Sequence, residues 1–210
     1  MSLWAIVPVK PFFEGKSRLS EILSGQERVV LNQFLLKRTL QTLARVESID
    51  MISVVSRDPT ALEIADCQQA FQIHESGKSL NLALSQATKS AMENGANSIL
   101  VIPSDLPLLT VEEVNQLINK RGNPPEVIIA PDRWRKGTNA LLINPADLIN
   151  FAFGQDSYHL HLEYAKQVGA RIDPCFLPAF ELDLDLPEDF DLLKYEESFY
   201  EDFRVFQTQK

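Results

Sequence analysis

The sequence is poor in cysteine and histidine, and this scarcity excludes several kinds of site. The two cysteines, Cys67 and Cys175, lie far apart in the chain and form no C-x-x-C pattern. We therefore expect neither a disulfide framework nor a cysteine zinc site. Both cysteines are expected to be free thiols in a reducing, cytoplasmic setting. The three histidines show no metal-ligand spacing with one another or with the cysteines, and no Ser-His-Asp or Cys-His catalytic set can be argued.

Long apolar runs, surplus basic charge and glycine-rich phosphate loops are also missing. No apolar stretch approaches the ~18 residues of a membrane span, and no basic region leads into an apolar run at the N-terminus. The formal net charge of −9 argues against a nucleic-acid surface. Neither G-x-G-x-x-G nor a P-loop occurs. We therefore expect no membrane and no nucleic acid as partners, although magnesium and a few local cations can hold a nucleotide in an acidic protein.

The hydrophobic pattern present is that of one α/β domain. The chain has 210 residues, of which 45% are apolar, enough for a single core. Short buried runs alternate with helical periodicity, which predicts a mainly parallel sheet flanked by helices. Predicted strands cover 3–9, 51–55, 71–73, 98–102, 127–130, 140–143 and 180–186; predicted helices cover 28–46, 60–71, 80–94, 111–119, 157–168 and a segment from 187. No repeat or linker divides residues 1–210, which we interpret as a core of about 1–196 and a tail of 197–210.

Asp105 follows the most apolar of these strands, which ends at Pro103 because proline has no N–H for a central ladder. Ligands of open α/β sheets bind beyond the carboxyl ends of strands. A carboxylate held there between Pro103 and Pro107 suits a hard cation such as magnesium. The alternative is that Asp105 caps the next helix, although Thr110, with Glu113 as a capping box, is the more natural N-cap.

Three cations, Lys10, Lys16 and Arg18, lie in the loop after the first strand. Many nucleotide-binding α/β proteins hold phosphates in that position. The cations either bind phosphate there or belong to solvated surface.

Small and polar residues mark three further turns. Asn81 begins a helix, where its amide either reads a base edge or caps the helix. The Gly137-Thr138-Asn139 turn offers a closely approachable backbone, a hydroxyl and an amide. Gly154 and Ser157 come before a helix, which suits a carboxylate or phosphate, unless Ser157 is an ordinary N-cap.

Residues 180–186 alternate apolar and acidic side chains, which predicts a strand with Asp183 and Asp185 on one face. Two carboxylates on one face repel each other unless a cation lies between them. A solvated acidic edge is the alternative interpretation.

Taken in order, these stretches together resemble one known family, and the similarity covers nearly the whole chain. It rests on Val7-Pro8-Val9-Lys10-Pro11, Lys16-Ser17-Arg18-Leu19, Ser79-Leu80-Asn81, Pro103-Ser104-Asp105-Leu106-Pro107-Leu108, Gly137-Thr138-Asn139-Ala140-Leu141, Phe153-Gly154 with Ser157, and Asp183-Leu184-Asp185 with Pro187-Glu188-Asp189. The family is that of the CofC-like 2-phospho-L-lactate guanylyltransferases of deazaflavin coenzyme F-420 biosynthesis, of which some bacterial members use phosphoenolpyruvate. The resemblance implies a single-domain fold of the nucleotide-diphosphosugar transferase type (GT-A or Rossmann-like).

The resemblance also implies roles for individual residues. Lys10, Lys16 and Arg18 would hold the GTP triphosphate and act in catalysis. Leu80, Asn81 and Asp105 would lie at the nucleotide, and Asp105, Asp183 and Asp185 would hold Mg²⁺. Thr138, Gly154 and Ser157 would bind the phosphorylated acid. The sequence departs from the family at Gln155-Asp156, where members often carry a small pair, and Asp156 adds a negative charge near the anionic acceptor that the resemblance implies.

The implied reaction transfers GMP from GTP to a phosphorylated three-carbon acid, with release of pyrophosphate. Because a phosphate acceptor is already ionised near neutral pH, no general base is required, and positioning and charge neutralisation supply the catalysis. Two alternatives stay open. One is a nucleotidyltransferase for 3-phosphoglycerate, a sugar phosphate or the molybdenum cofactor; the other is a non-catalytic domain that binds a nucleotide as a regulatory ligand. A homodimer is compatible with the sequence.

Overall fold

Seven strands form one mixed sheet in the order β3-β2-β1-β4-β6-β5-β7. The computed structural model describes residues 2–77, 79–193 and 196–208. The strands are β1 Leu3–Val9, β2 Met51–Ser56, β3 Phe71–His74, β4 Ser98–Val101, β5 Glu126–Pro131, β6 Thr138–Asn144 and β7 Arg171–Pro174. The helices are α1 Gly25–Leu43, α2 Pro59–Cys67, α3 Leu80–Glu93, α4 Val111–Ile118, α5 Ser157–Gln167, α6 Pro178–Glu181, α7 Pro187–Leu193 and α8 Glu197–Thr208, with a 3-10 turn at Ser17–Glu21.

One strand, β6, runs against all the others. The pairs β1–β2, β1–β4, β2–β3 and β5–β7 are parallel, whereas β6 pairs antiparallel with both β4 and β5. The prediction of a mixed, mainly parallel sheet flanked by helices is confirmed. Because β6 is reversed, it begins at the edge where β4 and β5 end, and Thr138 pairs with Pro131 there. The start of β6 is thereby placed beside the segment that follows β4.

The sheet is covered on both faces, as the continuous apolar runs indicate. Successive side chains of β1 point to opposite sides. Ala5 and Val7 share a buried cluster with Leu40 of α1, whereas Ile6 shares another with Leu84 of α3. The resulting two-sided core holds the carboxyl ends of β1 and β4 rigidly, and these ends carry the candidate site.

A third buried cluster lies beyond one end of the sheet. It joins Leu19 of the 3-10 turn, Phe34 of α1, Leu184 of the segment between α6 and α7, and Phe199 of α8. The rings of Phe34 and Phe199 meet edge to face with centroids 5.5 Å apart. Residues 197–210 were predicted to be a tail. Residues 197–208 of it form helix α8, which packs on α1, and residues 209–210 lie outside the described residues.

The predicted strand at 180–186 is wrong. Its first residues belong to α6, Pro178–Glu181, and an irregular segment leads from there to α7. The backbone N–H groups of Asp185 and Leu186 donate to the Asp189 carboxylate, so they are not available to a strand ladder. An apolar-acidic alternation is compatible with this turn as well as with a strand.

Other boundaries differ from the prediction for local reasons. Helix α1 begins earlier, because Ser24 and Glu27 form a capping box. The predicted helix at 60–71 ends at Cys67, and the edge strand β7 was not predicted. Thr110 is the N-cap of α4, as expected, but the Glu113 carboxylate accepts from the Ala179 N–H instead of completing a capping box.

In the part of the chain that the structure describes, no helix combines the length and apolar character needed to cross a membrane.

Candidate functional site

A cavity of about 550 Å³ opens at the carboxyl ends of β1 and β4. Six of the residues predicted for the nucleotide, catalysis or the metal line it: Lys10, Lys16, Arg18, Leu80, Asp105 and Asp185. Sequence reasoning missed two other wall residues, Arg57 and Glu75, which form an ion pair at 3.2 Å. They follow β2 and β3, and their position at strand ends is the signal that could have indicated them.

The centre of the cavity is an ammonium held by two carboxylates. Lys16 Nζ lies 2.8 Å from Asp105 Oδ2 and 2.9 Å from Asp185 Oδ1. The Lys16 side chain is almost fully buried, and its backbone adopts a left-handed conformation with φ of 56°. The tertiary structure therefore brings Asp105 and Asp185 together, although they lie far apart in the sequence.

The charges in this cluster perturb one another. Burial disfavours the charge on Lys16, but Asp105 and Asp185 outweigh it and raise the pKa of its ammonium. Burial and then the negative charges of Asp105 and Asp185 raise the pKa of the Asp183 carboxyl to about 6. The Asp185 carboxyl is also desolvated, but Lys16, Arg18 and Lys10 lower its pKa. The three aspartates are thus close enough to interact. The negative charges of Asp105 and Asp185 act on Asp183, and no cation offsets them in its pKa.

The three carboxylates have the oxygen chemistry that Mg²⁺ prefers. Among residues 2–77, 79–193 and 196–208, no three histidine, cysteine or acidic side chains are already arranged as metal ligands. Lys16 lies between Asp105 and Asp185, in the space that a cation bound to both would share. The raised pKa of Asp183 indicates that a further positive charge would stabilise the cluster. The residues therefore fit a divalent cation, provided that the Lys16 ammonium moves toward another anion.

The segment that carries Asp183 and Asp185 is held by a buried carboxylate. Asp189, 1% exposed, accepts from the backbone N–H groups of Asp185 and Leu186 at 2.7 and 2.6 Å and from Arg133 Nη2 at 2.5 Å. Sequence reasoning assigned no role to Asp189 beyond its place in a matching stretch. Its position at the start of α7 was a signal for a capping function.

Asn139 of β6 holds Asp183 from the other side. Its amide Nδ2 donates to the Phe180 carbonyl at 2.8 Å and lies 3.4 Å from Asp183 Oδ1. The polar turn before β6, where the sequence placed an amide for a ligand, therefore supports the acidic segment as well.

The residues predicted to bind the acceptor lie together in a second group. Ser157 Oγ donates to Thr138 Oγ1 at 3.1 Å, and both side chains are buried. Ser157 is the first residue of α5 and not its N-cap, a position that Asp156 occupies without a side-chain hydrogen bond. Gly154 has φ of 131°, a conformation that glycine adopts readily.

Asp156, which departs from the family pattern, is exposed. Its carboxylate pairs with His159 Nδ1 at 2.8 Å, and more than half of each side chain is accessible to solvent. The contact directs the carboxylate toward His159, so the departure from the family pattern is a solvent-accessible side chain at the N-cap of α5.

Asn81 connects helix α3, whose first residue lines the cavity, to the loop that precedes the predicted acceptor residue Ser157. Its amide donates to the Phe153 carbonyl at 3.1 Å and accepts from the Phe153 N–H at 2.8 Å. The N-cap of α3 is Ser79, so the interpretation of Asn81 as a helix cap is wrong. Both ends of the amide are engaged with backbone, and Asn81 therefore joins the start of α3 to the loop before α5.

The chain is similar to known guanylyltransferases over most of its length. A family model described as "Guanylyl transferase CofC like" matches residues 3–196. A phosphoenolpyruvate guanylyltransferase from Rubrobacter xylanophilus is 39% identical over 189 residues, which cover 90% of this chain and 92% of that protein. A 2-phospho-L-lactate guanylyltransferase from Methanocaldococcus jannaschii is 35% identical, with 88% of this chain and 79% of that protein covered.

The fold is shared with solved structures at lower identity. The crystal structure of a candidate nucleotide-diphospho-sugar transferase from Desulfovibrio desulfuricans G20 matches with a TM-score of 0.77 and 19% identity, over 99% of this chain and 96% of that chain. The fold is therefore of the nucleotide-diphospho-sugar transferase type, as expected from the sequence.

Proposed function

This chain belongs to the CofC-like guanylyl transferase family, and from that premise we propose that it transfers GMP from GTP to a small phosphorylated acid. The proposed acceptor is 2-phospho-L-lactate or phosphoenolpyruvate, as in the names of its relatives from M. jannaschii and R. xylanophilus. The reaction would belong to the biosynthesis of coenzyme F-420. The observation that carries the proposal is the cavity in which Lys16 bridges Asp105 and Asp185 beside further cations.

The cations of the first loop would bind the triphosphate. Lys10 and Arg18 are exposed, line the cavity and act electrostatically on Asp185. Lys16 would leave its two carboxylates for a phosphate oxygen, which offers a comparable charge-assisted hydrogen bond. Leu80, at the start of α3, lines the same cavity and would contact the nucleoside.

Asp105, Asp183 and Asp185 would hold Mg²⁺. The metal would supply neutralisation of the triphosphate and polarisation of its phosphoryl oxygens. The oxygen donors of the three carboxylates and the uncompensated charge at Asp183 support this assignment.

Thr138, Gly154 and Ser157 would bind the phosphate and carboxylate of the acceptor. Thr138 stands at the start of β6, next to Asn139, whose amide reaches Asp183. Because β6 is antiparallel to β4, the acceptor group lies at the same sheet edge as the aspartates. This arrangement suits two anions bound side by side.

The bond changes follow from the charges. An oxygen of the acceptor phosphate would attack the α-phosphorus of GTP in line, while the bond from the α-phosphorus to the bridging oxygen breaks. Pyrophosphate leaves with that electron pair, and GMP becomes joined to the acceptor through a new diphosphate link. The attacking oxygen is already ionised, so the residues of this chain only orient the reactants and offset charge.

The direct test is turnover with a matched panel of acceptors. The full-length protein is incubated with GTP and Mg²⁺ and with phosphoenolpyruvate, 2-phospho-L-lactate, 3-phosphoglycerate or a hexose phosphate, and pyrophosphate release is measured. We expect release with one of the first two acids, and a product whose mass equals GMP joined to that acid. ATP and CTP serve as nucleotide controls. Release with 3-phosphoglycerate or the sugar phosphate alone would refute the proposed acceptor, and GTP binding without pyrophosphate release would refute the transfer reaction.

A further inference from the structure

His161, a residue that the predicted site does not include, lies directly behind the proposed acceptor group. It is on α5 and is fully buried. Its Nε2 accepts a hydrogen bond from the Ala152 N–H at 3.0 Å, and its Nδ1 lies 3.0 Å from Thr138 Oγ1. The imidazole therefore connects the loop before α5 to the first residue of β6.

The Ala152 contact determines which nitrogen carries the proton. A backbone N–H can only donate, so Nε2 must be unprotonated in order to accept from it. A neutral imidazole has one N–H, which is then on Nδ1 and donates to Thr138 Oγ1. The ring is neutral because burial lowers the pKa of His161 to about 4.

Thr138 Oγ1 consequently receives two hydrogen bonds. One comes from His161 Nδ1 and the other from Ser157 Oγ at 3.1 Å. A hydroxyl oxygen has two acceptor sites and one proton to donate. Within the described part of the chain, His161 and Ser157 use both acceptor sites of the Thr138 hydroxyl. The proton of that hydroxyl therefore points to neither His161 nor Ser157. The hydroxyl of Thr138 is thus left as a hydrogen-bond donor.

We propose that His161 is a positioning residue that holds the Thr138 hydroxyl as an obligate donor to an anionic oxygen of the acceptor. The proposal rests on the proposed function of the Thr138 group. It assigns a basis for selectivity, because a hydroxyl that can only donate will donate to a phosphate or carboxylate oxygen but offers no acceptor to a hydroxyl or amine proton at that position.

A packing role is the competing explanation. The His161 ring also meets the Phe153 ring edge to face with centroids 4.9 Å apart, so it supports the loop at Ala152 and Phe153. Two substitutions separate the roles. In His161→Gln the amide oxygen can replace Nε2 and keep the Ala152 bond, whereas in His161→Asn the amide N–H can replace Nδ1 and keep the donation to Thr138.

The experiment compares the KM values for acceptor and GTP in both variants and in Thr138→Val. Loss of one well-placed hydrogen bond should raise the acceptor KM about tenfold in Thr138→Val and in His161→Gln, with the KM for GTP unchanged. His161→Asn should stay within about threefold of the wild type, since it retains the donor. Adding His161→Gln to Thr138→Val should have no further effect, because the histidine acts through the threonine.

The outcomes separate the two proposals. An unchanged acceptor KM in Thr138→Val would refute the acceptor assignment itself. A raised KM in Thr138→Val with an unchanged KM in His161→Gln would refute only the role of His161. Equal defects in His161→Gln and His161→Asn would indicate packing alone and also overturn it.

A spectroscopic measurement remains decisive if a histidine variant fails to fold. The ¹⁵N shifts and one-bond couplings of the His161 ring in the wild-type protein at neutral pH report its tautomer. We expect a proton on Nδ1 and none on Nε2. A proton on Nε2, or on both nitrogens, would overturn the proposal.

Discussion

The backbone N–H of Leu184 donates a 3.0 Å hydrogen bond to the backbone carbonyl of Asp105. Leu184 is itself fully buried, in the cluster that includes Leu19 and Phe199. The aspartates on either side of Leu184 are therefore fixed to the end of β4 by backbone and core contacts. The acidic cluster is consequently preorganised by the fold before any cation arrives.

Substitution of Asp105 should remove activity and leave the fold intact. Asp105→Asn retains the backbone bond to Leu184 but removes the charge that would hold Mg²⁺ and that now pairs with Lys16. We expect kcat to fall by about 10² or more, from loss of charge stabilisation in the transition state. Circular dichroism and steady-state kinetics at saturating Mg²⁺ measure both effects.

Asp147→Asn is the matched control, because Asp147 is exposed and lies outside the cavity of the site. It should behave as the wild type. Near-normal turnover of Asp105→Asn would contradict the metal assignment.

Lys16→Met should make the protein more dependent on Mg²⁺ for stability. Without the ammonium, Asp105 and Asp185 lose their shared partner, so the Tm in EDTA should fall by several degrees. Mg²⁺ should then raise the Tm of Lys16→Met by more than it raises that of the wild type, because the metal no longer competes with the lysine.

Differential scanning calorimetry with and without Mg²⁺ measures this difference, and Lys166→Met, at an exposed position of α5, serves as the control. Equal Mg²⁺ responses in Lys16→Met and the wild type would show that the lysine and the cation do not share the acidic cluster.

Asp189→Ala should lower both stability and activity. It leaves the Arg133 guanidinium and the N–H groups of Asp185 and Leu186 without their buried acceptor. We expect the free energy of unfolding to fall by about 3 kcal/mol. Urea denaturation measures the change, and pyrophosphate release below the unfolding transition should show reduced Mg²⁺ affinity.

Glu188→Ala provides the comparison on the same helix, because Glu188 is exposed. It should change the free energy of unfolding by about 0.5 kcal/mol or less. If the two variants unfold at the same urea concentration, Asp189 does not support the acidic segment.

Ser157→Ala should weaken acceptor binding more than GTP binding. Ser157 donates to Thr138 and begins helix α5, outside the residues that line the cavity, whereas the cations assigned to GTP line that cavity. We expect the acceptor KM to rise about three- to tenfold, the value of one hydrogen bond. Initial rates with each substrate varied in turn provide the measurement. Ser85→Ala, on an exposed face of α3, is the control. A raised KM for GTP alone would reverse the assignment.

Acid should destabilise the protein through His161. Burial lowers the pKa of His161 from 6.5 to about 4, so the unfolded chain takes up the proton at a higher pH than the native state. The stabilising contribution is complete above pH 6.5 and is lost as the pH falls through about 4. Its full size is about 3 kcal/mol. The difference in unfolding free energy between wild type and His161→Asn should therefore shrink by that amount from pH 7 to pH 4. A difference independent of pH would show that His161 titrates normally.

Local patterns in the sequence predicted much of the architecture. The apolar runs before Pro8 and Pro103, the helical periodicities and the Thr110 cap were sufficient to indicate a mainly parallel α/β sheet. The positions of Lys10, Lys16 and Asp105 after strand ends also indicated the cavity, because strand ends of a parallel sheet meet at one edge. These features depend on residues within a few positions of one another, so the sequence contains them directly.

Only the tertiary structure decided how distant segments pair. The sequence did not show that β6 is reversed, that Asp189 prevents a strand at 182–186, or that Ala152 and Thr138 determine the tautomer of His161. Each depends on hydrogen bonds between groups that approach only when the chain has folded. Periodicity and capping signals describe the neighbours of a residue along the chain, whereas strand direction and buried polar contacts are selected by packing across it.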